Sequence, residues 1–299
     1  MPGKRKPGYY LGDRVYDSVV CLLVFIIIAV FMYPIVYLLS NSISDASAVL
    51  RREVWLLPKG FSLRSYEQVF KHQYLPGSFL NAVIYSLLGT GWAMLLTILG
   101  SYPLSRKYLP GRNVIMLVLT FTMLFSGGLV PTYLIVTSLG MYNNLAAMVF
   151  PCAVSVYNLI ILRTFFMQIP DSLEESTRLD GANDFVILCR IFLPLSIPAL
   201  ATVGLFYFIA KWNDFFSPLI YLSDKSKLPL QLILRELLIV SSDNSLTREQ
   251  LVGASAVASL APFGFKSAII IVSILPMAII YPFLQQYFIQ GIMIGSVKG

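Results

Sequence analysis

Val19-Val20-Cys21-Leu22-Leu23-Val24-Phe25-Ile26-Ile27-Ile28-Ala29-Val30-Phe31-Met32-Tyr33-Pro34-Ile35-Val36-Tyr37-Leu38-Leu39 carries no charge from end to end. About 20 consecutive apolar residues suffice for a helix to cross the hydrocarbon of a bilayer, so this stretch is read as a membrane span. Lys4, Arg5, Lys6 and Arg14 precede it, like the charged front of a signal peptide. The run is too long for a signal core and has no small-residue cleavage site, which predicts a retained first helix.

Five further runs qualify: Phe79–Tyr102, Val114–Val136, Leu145–Leu162, Phe192–Ala210 and Ala268–Phe288. None of the six contains Asp, Glu, Lys, Arg or His. Composition agrees. Hydrophobic residues make up 57% of the 299 and charged residues 12%, against roughly 45–50% and 25% in soluble domains. The expected fold is all-α, a polytopic membrane bundle of six transmembrane helices. A single transmembrane domain is expected over 1–299: a tail and first helix over 1–40, a core bundle over 79–288, and a polar loop over 167–193.

Lys and Arg in short loops set orientation. Placing both termini inside divides the basic residues evenly between the two sides. The inner segments are shorter and therefore denser in charge: 103–113 holds Arg106, Lys107 and Arg112, whereas 137–144 holds none. N-in, C-in is favoured. The outer segments 40–78 and 211–267 are long enough to hold short helices, with Ser241–Ser245 the most loop-like patch and Gln250–Ala261 a candidate surface segment. Pro34, Pro131, Pro151, Pro198, Pro276 and Pro282 fall inside spans, where each removes a helical hydrogen bond and permits a kink.

The net charge of +7 fits basic residues flanking membrane helices beside anionic lipid. No basic stripe with interleaved aromatics points to nucleic acid. Cys21, Cys152 and Cys189 form no CxxC or Cys/His cluster, and His72 is the sole histidine, so a disulfide framework or zinc site is unsupported. No G-x-S-x-G motif supports a hydrolase.

The polar stretch Ile169-Pro170-Asp171-Ser172-Leu173-Glu174-Glu175-Ser176-Thr177-Arg178-Leu179-Asp180-Gly181-Ala182-Asn183-Asp184-Phe185 separates two apolar blocks. Asp171 is expected to cap a short helix, with Glu174 at capping-box spacing. That helix should end at Leu179 or Asp180, with Gly181 supplying the left-handed turn. A second helix should start near Asn183 and present Phe185, Leu188 and Phe192 on one face before Leu193-Pro194 enters the fifth span. Residues alone leave two readings open: a helix pair resting on lipid, or a docking surface.

Glu175-Ser176-Thr177-Arg178-Leu179-Asp180-Gly181-Ala182, followed by Leu193-Pro194, resembles the "EAA" loop of binding-protein-dependent ABC importer permeases. Ser176 and Thr177 replace the family's two alanines; the Asp-Gly-Ala core is intact. Trp212-Asn213-Asp214-Phe215-Phe216-Ser217-Pro218-Leu219, Tyr281-Pro282-Phe283-Leu284-Gln285-Gln286-Tyr287-Phe288 with Gly295–Gly299, and Leu57-Pro58-Lys59-Gly60-Phe61-Ser62-Leu63 with Tyr66 resemble the carbohydrate branch of that family. The nearest branch imports complex oligosaccharides, including plant- and algal-polysaccharide fragments.

The resemblance implies a non-catalytic permease subunit in a bacterial plasma (inner) membrane. It would form half of a heterodimeric path with a second homologous permease. Two ATPase subunits would dock inside and an extracellular solute-binding protein would deliver an oligosaccharide outside, at 40–78 and 211–267. The implied ATPase-coupling residues are Glu174, Glu175, Ser176, Thr177, Arg178, Leu179, Asp180, Gly181 and Ala182, with Glu175 pairing a basic residue of the ATPase. Without a G-x-x-x-x-G-K-[ST] loop, the chain takes no cofactor of its own, and ATP and Mg would be held by the partners. Trp212, Asn213, Asp214 and Phe215 are candidate substrate-path residues, and an interfacial aromatic belt accounts for them equally well. Lys211 and Asp214 are spaced to pair along a helix. The rival membrane reading, an ion-coupled secondary transporter, usually carries intramembrane carboxylates or histidines, which these spans lack.

Overall fold

The computed structural model describes residues 11–125, 127–240 and 263–296. Ser241–Ser245, Gln250–Ala261, Lys4–Lys6, Ser126 and Val297–Gly299 lie outside the described residues. Contacts group the chain into two compact units, residues 1–71 with 246–272, and residues 72–245 with 273–299.

In the first unit, α1 (Leu11–Ser42) leads to two short helices, α2 (Ala46–Leu50) and α3 (Arg64–Lys71). Its apolar window has no buried residue, as expected of a helix whose solvent is lipid rather than protein. The segment after it is tied down by polar contacts: Asp45 caps α2, Ser44 bridges Phe61, and the Ser42 and Tyr66 hydroxyls meet at 2.9 Å. Gly264, near the start of α14 (Phe263–Ser296), sits so close to Ser65 and the Asn41 carbonyl that a side chain there would collide with them.

The second unit is organised around α4 (Leu75–Ser105). Ser78, Ala82, Ser86, Gly89, Ala93, Thr97 and Ser101 are all buried and all small. They recur every three or four residues and form one stripe, which lets backbones approach closely where lipid offers no hydrophobic drive. Next come α5 (Arg112–Leu124), α6 (Leu129–Ser138), α7 (Ala146–Val149), α8 (Val156–Phe166) and α9 (Asp171–Leu179). They are followed by α10 (Asp184–Leu195), α11 (Ile197–Trp212), α12 (Phe216–Tyr221) and α13 (Leu230–Val240).

The chain is all-α in its described parts, and the expected spans differ in how far they run unbroken. Among the described residues, α1, α4 and α14 are long and apolar enough to cross a membrane unbroken; α5 with α6, and α10 with α11, are apolar pairs bent by more than 40° at a short break, the geometry of a broken span or a re-entrant loop. The fifth bends by 85° between α10 and α11. Pro198 there sits in the first turn of α11, where its missing N–H costs nothing, so it starts a helix rather than kinking one. The fourth is split into α7 and α8 by Phe150–Ser155, which contains Pro151 and a left-handed Cys152 (φ 49°). Irregular backbone at such depth is tolerated where it is packed in protein or lines a cavity.

The two ends of α4 gather different loops. At its N-terminal end, Asn81 and Tyr85 donate to carbonyls of Ser226 and Lys227. Asn143 joins the same cluster through the Tyr221 carbonyl and the N–H groups of Ser223 and Asp224. At its C-terminal end lie the 103–113 loop, Arg163 and α9. Arg163 Nε donates to the Leu104 carbonyl at 2.7 Å. The segments expected to share one side of the membrane thus share one end of this helix.

Candidate functional site

The polar stretch folds into α9, a tight turn and α10. Asp171 is the first helical residue rather than the cap, because Pro170 occupies the cap position and contributes no side-chain bond. The expected capping box is therefore absent. The Asp171 carboxylate instead accepts from Lys107 Nζ at 2.8 Å, and this hydrogen bond with the lysine's charge holds its pKa below the ordinary value. Asp171 and Glu174 still lie in the first turn, where the helix dipole favours anions.

The helix ends as the sequence predicts. Gly181 is left-handed (φ 84°), its N–H reaches the Arg178 carbonyl, and the Ala182 N–H reaches the Thr177 carbonyl. That pair of bonds is the Schellman arrangement. Ala182 rests on the apolar core, and Asn183 caps α10 by accepting from the Val186 N–H. Ser176 and Thr177 both donate their hydroxyls to the Leu173 carbonyl, so replacing the family's alanines leaves no unsatisfied group.

Glu174 is the surprise. It is buried and bonded at both oxygens: Arg106 Nη1 at 2.8 Å and Arg178 Nη2 at 3.0 Å. Arg106 is 3% exposed. Its guanidinium also donates to the Phe166 carbonyl at 2.8 Å and lies 4.5 Å above the Phe192 ring. One side chain thereby links the end of α4, the end of α8, α9 and α10. Phe192 packs edge-on to Tyr102 and Phe166, in a π-helical turn over Leu188–Phe192. Arg178 completes the network with Asp184 and lies over the Tyr108 ring.

What faces outward is therefore a subset of the expected residues. Glu175, Ser176, Arg178, Leu179, Asp180 and Gly181 are exposed, Leu179 at 89%, and among the described residues Glu175 makes no ion pair. Phe185 is 66% exposed; α10 packs through Ile187, Leu188 and Phe192, which corrects the expected Phe185 face.

The chain matches the model of "Binding-protein-dependent transport system inner membrane component" over residues 108–294. It belongs to that family. The permease is 39% identical over 291 residues to "Polygalacturonan/rhamnogalacturonan transport system permease protein YtcP" of Bacillus subtilis (strain 168), covering 97% of this chain and all of the relative. It is 38% identical over 290 residues to "Protein LplC" of the same organism, covering 96% of each. Among solved structures it resembles a chain of a bacterial ABC transporter involved in the import of the acidic polysaccharide alginate. The TM-score is 0.84 and the identity 34%, over 95% of this permease and all of that chain. The family match takes in the whole of α9 and its turn but begins just after Arg106 and Lys107, the residues that hold α9 from behind.

The other predicted group divides. Trp212 is 2% exposed, stacked on Phe208, edge-on to Phe79, and donating Nε1–H to the Ser273 carbonyl at 3.1 Å. Its faces are covered, so the permease uses it for packing, which corrects its place on a sugar path. Asp214 accepts from the N–H groups of Phe216 and Ser217 and so starts α12. It forms no ion pair with Lys211, whose Nζ donates to the Met148 carbonyl at 3.0 Å. Asn213 and Phe215 are exposed, Phe215 beneath the Arg235 guanidinium.

Proposed function

We propose that this permease carries complex carbohydrate across the bacterial inner membrane, as one half of a path shared with a second, homologous permease. A binding protein delivers the sugar outside, and two ATPase subunits supply the energy inside. The polysaccharide-transport relatives support the carbohydrate class, since two of the proteins described above are named for polygalacturonan/rhamnogalacturonan transport and alginate import.

The observation that carries the coupling role is the division of α9 into two faces. One face is riveted to the bundle through Glu174 and Arg106. The other presents Glu175 and Leu179, both exposed, with Glu175 in no ion pair among the described residues. An exposed leucine at a helix tip beside an unpaired carboxylate fits a cleft that has an apolar floor and a basic rim. Closure of two ATPase subunits on ATP would press that knob, and the Arg106 joint would pass the load to α4, α8 and α10 together.

The test is uptake by vesicles containing the assembled transporter. Import that follows ATP, and stops in the combined Glu175→Lys and Gly181→Val variant, supports the reading. Import driven by an ion gradient without nucleotide contradicts it.

A further inference from the structure

A cavity of about 430 Å³ opens beside the break in the fourth span, lined by Ser155, Tyr157, Asn158, Phe206, Tyr207 and Lys211. Its size is within the roughly 300–1,000 Å³ usual for small-molecule pockets. All six residues belong to the second compact unit. Three features of its wall point to one ligand chemistry.

The first is a cation with no ion pair among the described residues. Lys211 lies on α11, and its stem crosses α4 at Gly89, where even a Cβ would come within 3.1 Å of Lys211 Cδ. Nζ has three donors, and the Met148 carbonyl takes one. Among the described residues no carboxylate lies within ion-pair distance of Nζ, and Asp214, three residues on, is committed to the start of α12. A half-buried ammonium without an anion is costly.

The second is Asn158. It is 5% exposed and lines the cavity, and its side-chain amide bonds nothing among the described residues. Its amide atoms are not sealed in the interior, so they are a donor and an acceptor open to the cavity. The third is the N-terminus of α8, whose first-turn residues Tyr157 and Asn158 both line the cavity. A helix N-terminus favours an anion.

The floor is fixed independently. The Tyr207 hydroxyl meets Thr97 Oγ1 of α4 at 2.7 Å and accepts the Ser155 N–H at 2.9 Å. Tyr157 and Phe206 supply aromatic surface at the rim, suited to the C–H face of a sugar ring. Cation, amide and helix terminus converge on a carboxylate carried by a sugar.

We propose that this cavity is a uronate subsite on the translocation path: Lys211 supplies the charge and Asn158 the amide donor for the carboxylate of an acidic oligosaccharide. The proposal rests on the carbohydrate reading above and narrows it to sugars bearing a carboxylate.

The experiment uses the assembled transporter in proteoliposomes, with its binding protein and ATP. Uptake of an oligogalacturonide is compared with uptake of the same oligomer after carboxyl reduction to the neutral sugar. Wild type is expected to take up the acidic oligomer. Lys211→Met should lower that uptake at least tenfold, Asn158→Asp should lower it similarly by adding a second anion, and Lys211→Arg should keep at least a third of it. Acidic uptake within twofold of wild type in both Lys211→Met and Asn158→Asp overturns the proposal. So does an equal loss in Lys211→Arg and Lys211→Met, because charge would then not matter. Uptake of the neutral oligomer alone overturns the subsite and leaves the carbohydrate reading standing. Uptake of neither oligomer, nor of any other oligosaccharide, overturns both.

Discussion

Arg106 at the end of α4 and Glu174 on α9 form a buried ion pair at 2.8 Å across sixty-eight positions of sequence. It fixes α9 to the ends of α4 and α8. An exposed pair would contribute little. This one is shielded by Phe192 above, and the guanidinium's Nε and Nη2 donate to Ser105 Oγ and the Phe166 carbonyl.

Removing one partner of a buried pair strands the other. Arg106→Ala is expected to destabilise by about 3–5 kcal/mol, read as a lowered Tm in detergent. The double variant Arg106→Met with Glu174→Leu should lose less than Arg106→Ala alone, because no buried charge is left behind: Arg178 keeps Asp184 and Asp171 keeps Lys107, all at exposed sites. A double variant as unstable as the sum of its singles would show that the two side chains do not act as a pair.

Glu175 and Glu174 are adjacent yet should behave oppositely. Glu175→Lys should alter stability within about 0.5 kcal/mol, as exposed substitutions do, while ATP-driven uptake falls at least tenfold. Glu174→Lys should unfold the loop. Thermal melts paired with uptake assays separate the two effects.

Gly181 is left-handed, and a Cβ there would meet nothing within 4 Å. The penalty for Gly181→Ala is thus conformational alone, about 1–2 kcal/mol. Gly181→Asn should lose less, since Asn accepts this region more readily. Protease sensitivity of the 179–184 turn would report the order glycine, asparagine, alanine.

The Asp171–Lys107 pair gives a pH signature. Because the folded pKa of Asp171 is lowered from 3.8, the pair's contribution is complete above that value. It is lost as pH falls through the lowered one. Both groups are exposed, so the effect is small and salt-screened. Lys107→Met should bring the carboxyl of Asp171 back toward 3.8, observable by carboxylate infrared titration.

Trp212→Ala should cost about 3–5 kcal/mol, as for a buried aromatic. Phe215→Ala, at an exposed site, should cost far less. Equal stability of the two variants would contradict the packing role.

How legible this was in advance depends on the range of the forces involved. Long apolar runs forecast α1, α4 and α14 well, and the Asp180-Gly181 turn could be read because its geometry is local. Asp171 lies one residue inside the helix because Pro170 takes the cap position, and Lys107, far off in sequence, takes its carboxylate. Arg106 reads as one more basic residue of a short loop, and nothing local marks it as buried. Lys211 fell just beyond a span counted to Ala210, whereas α11 runs on to Trp212. The retrievable signal was the small residues of α4 spaced by three and four, which mark the face where other helices press closest.

The central claim is that the tip of α9 meets an ATPase inside the cell. The most direct measurement is cross-linking of Leu179→Cys, in a variant lacking Cys21, Cys152 and Cys189, to cysteines placed along the ATPase cleft. The account predicts a cross-link that forms in the assembled transporter, blocks ATP-driven uptake and is reversed by reductant. Labelling of that cysteine by an impermeant thiol reagent from the outside of intact cells, with no cross-link to the ATPase, would contradict it.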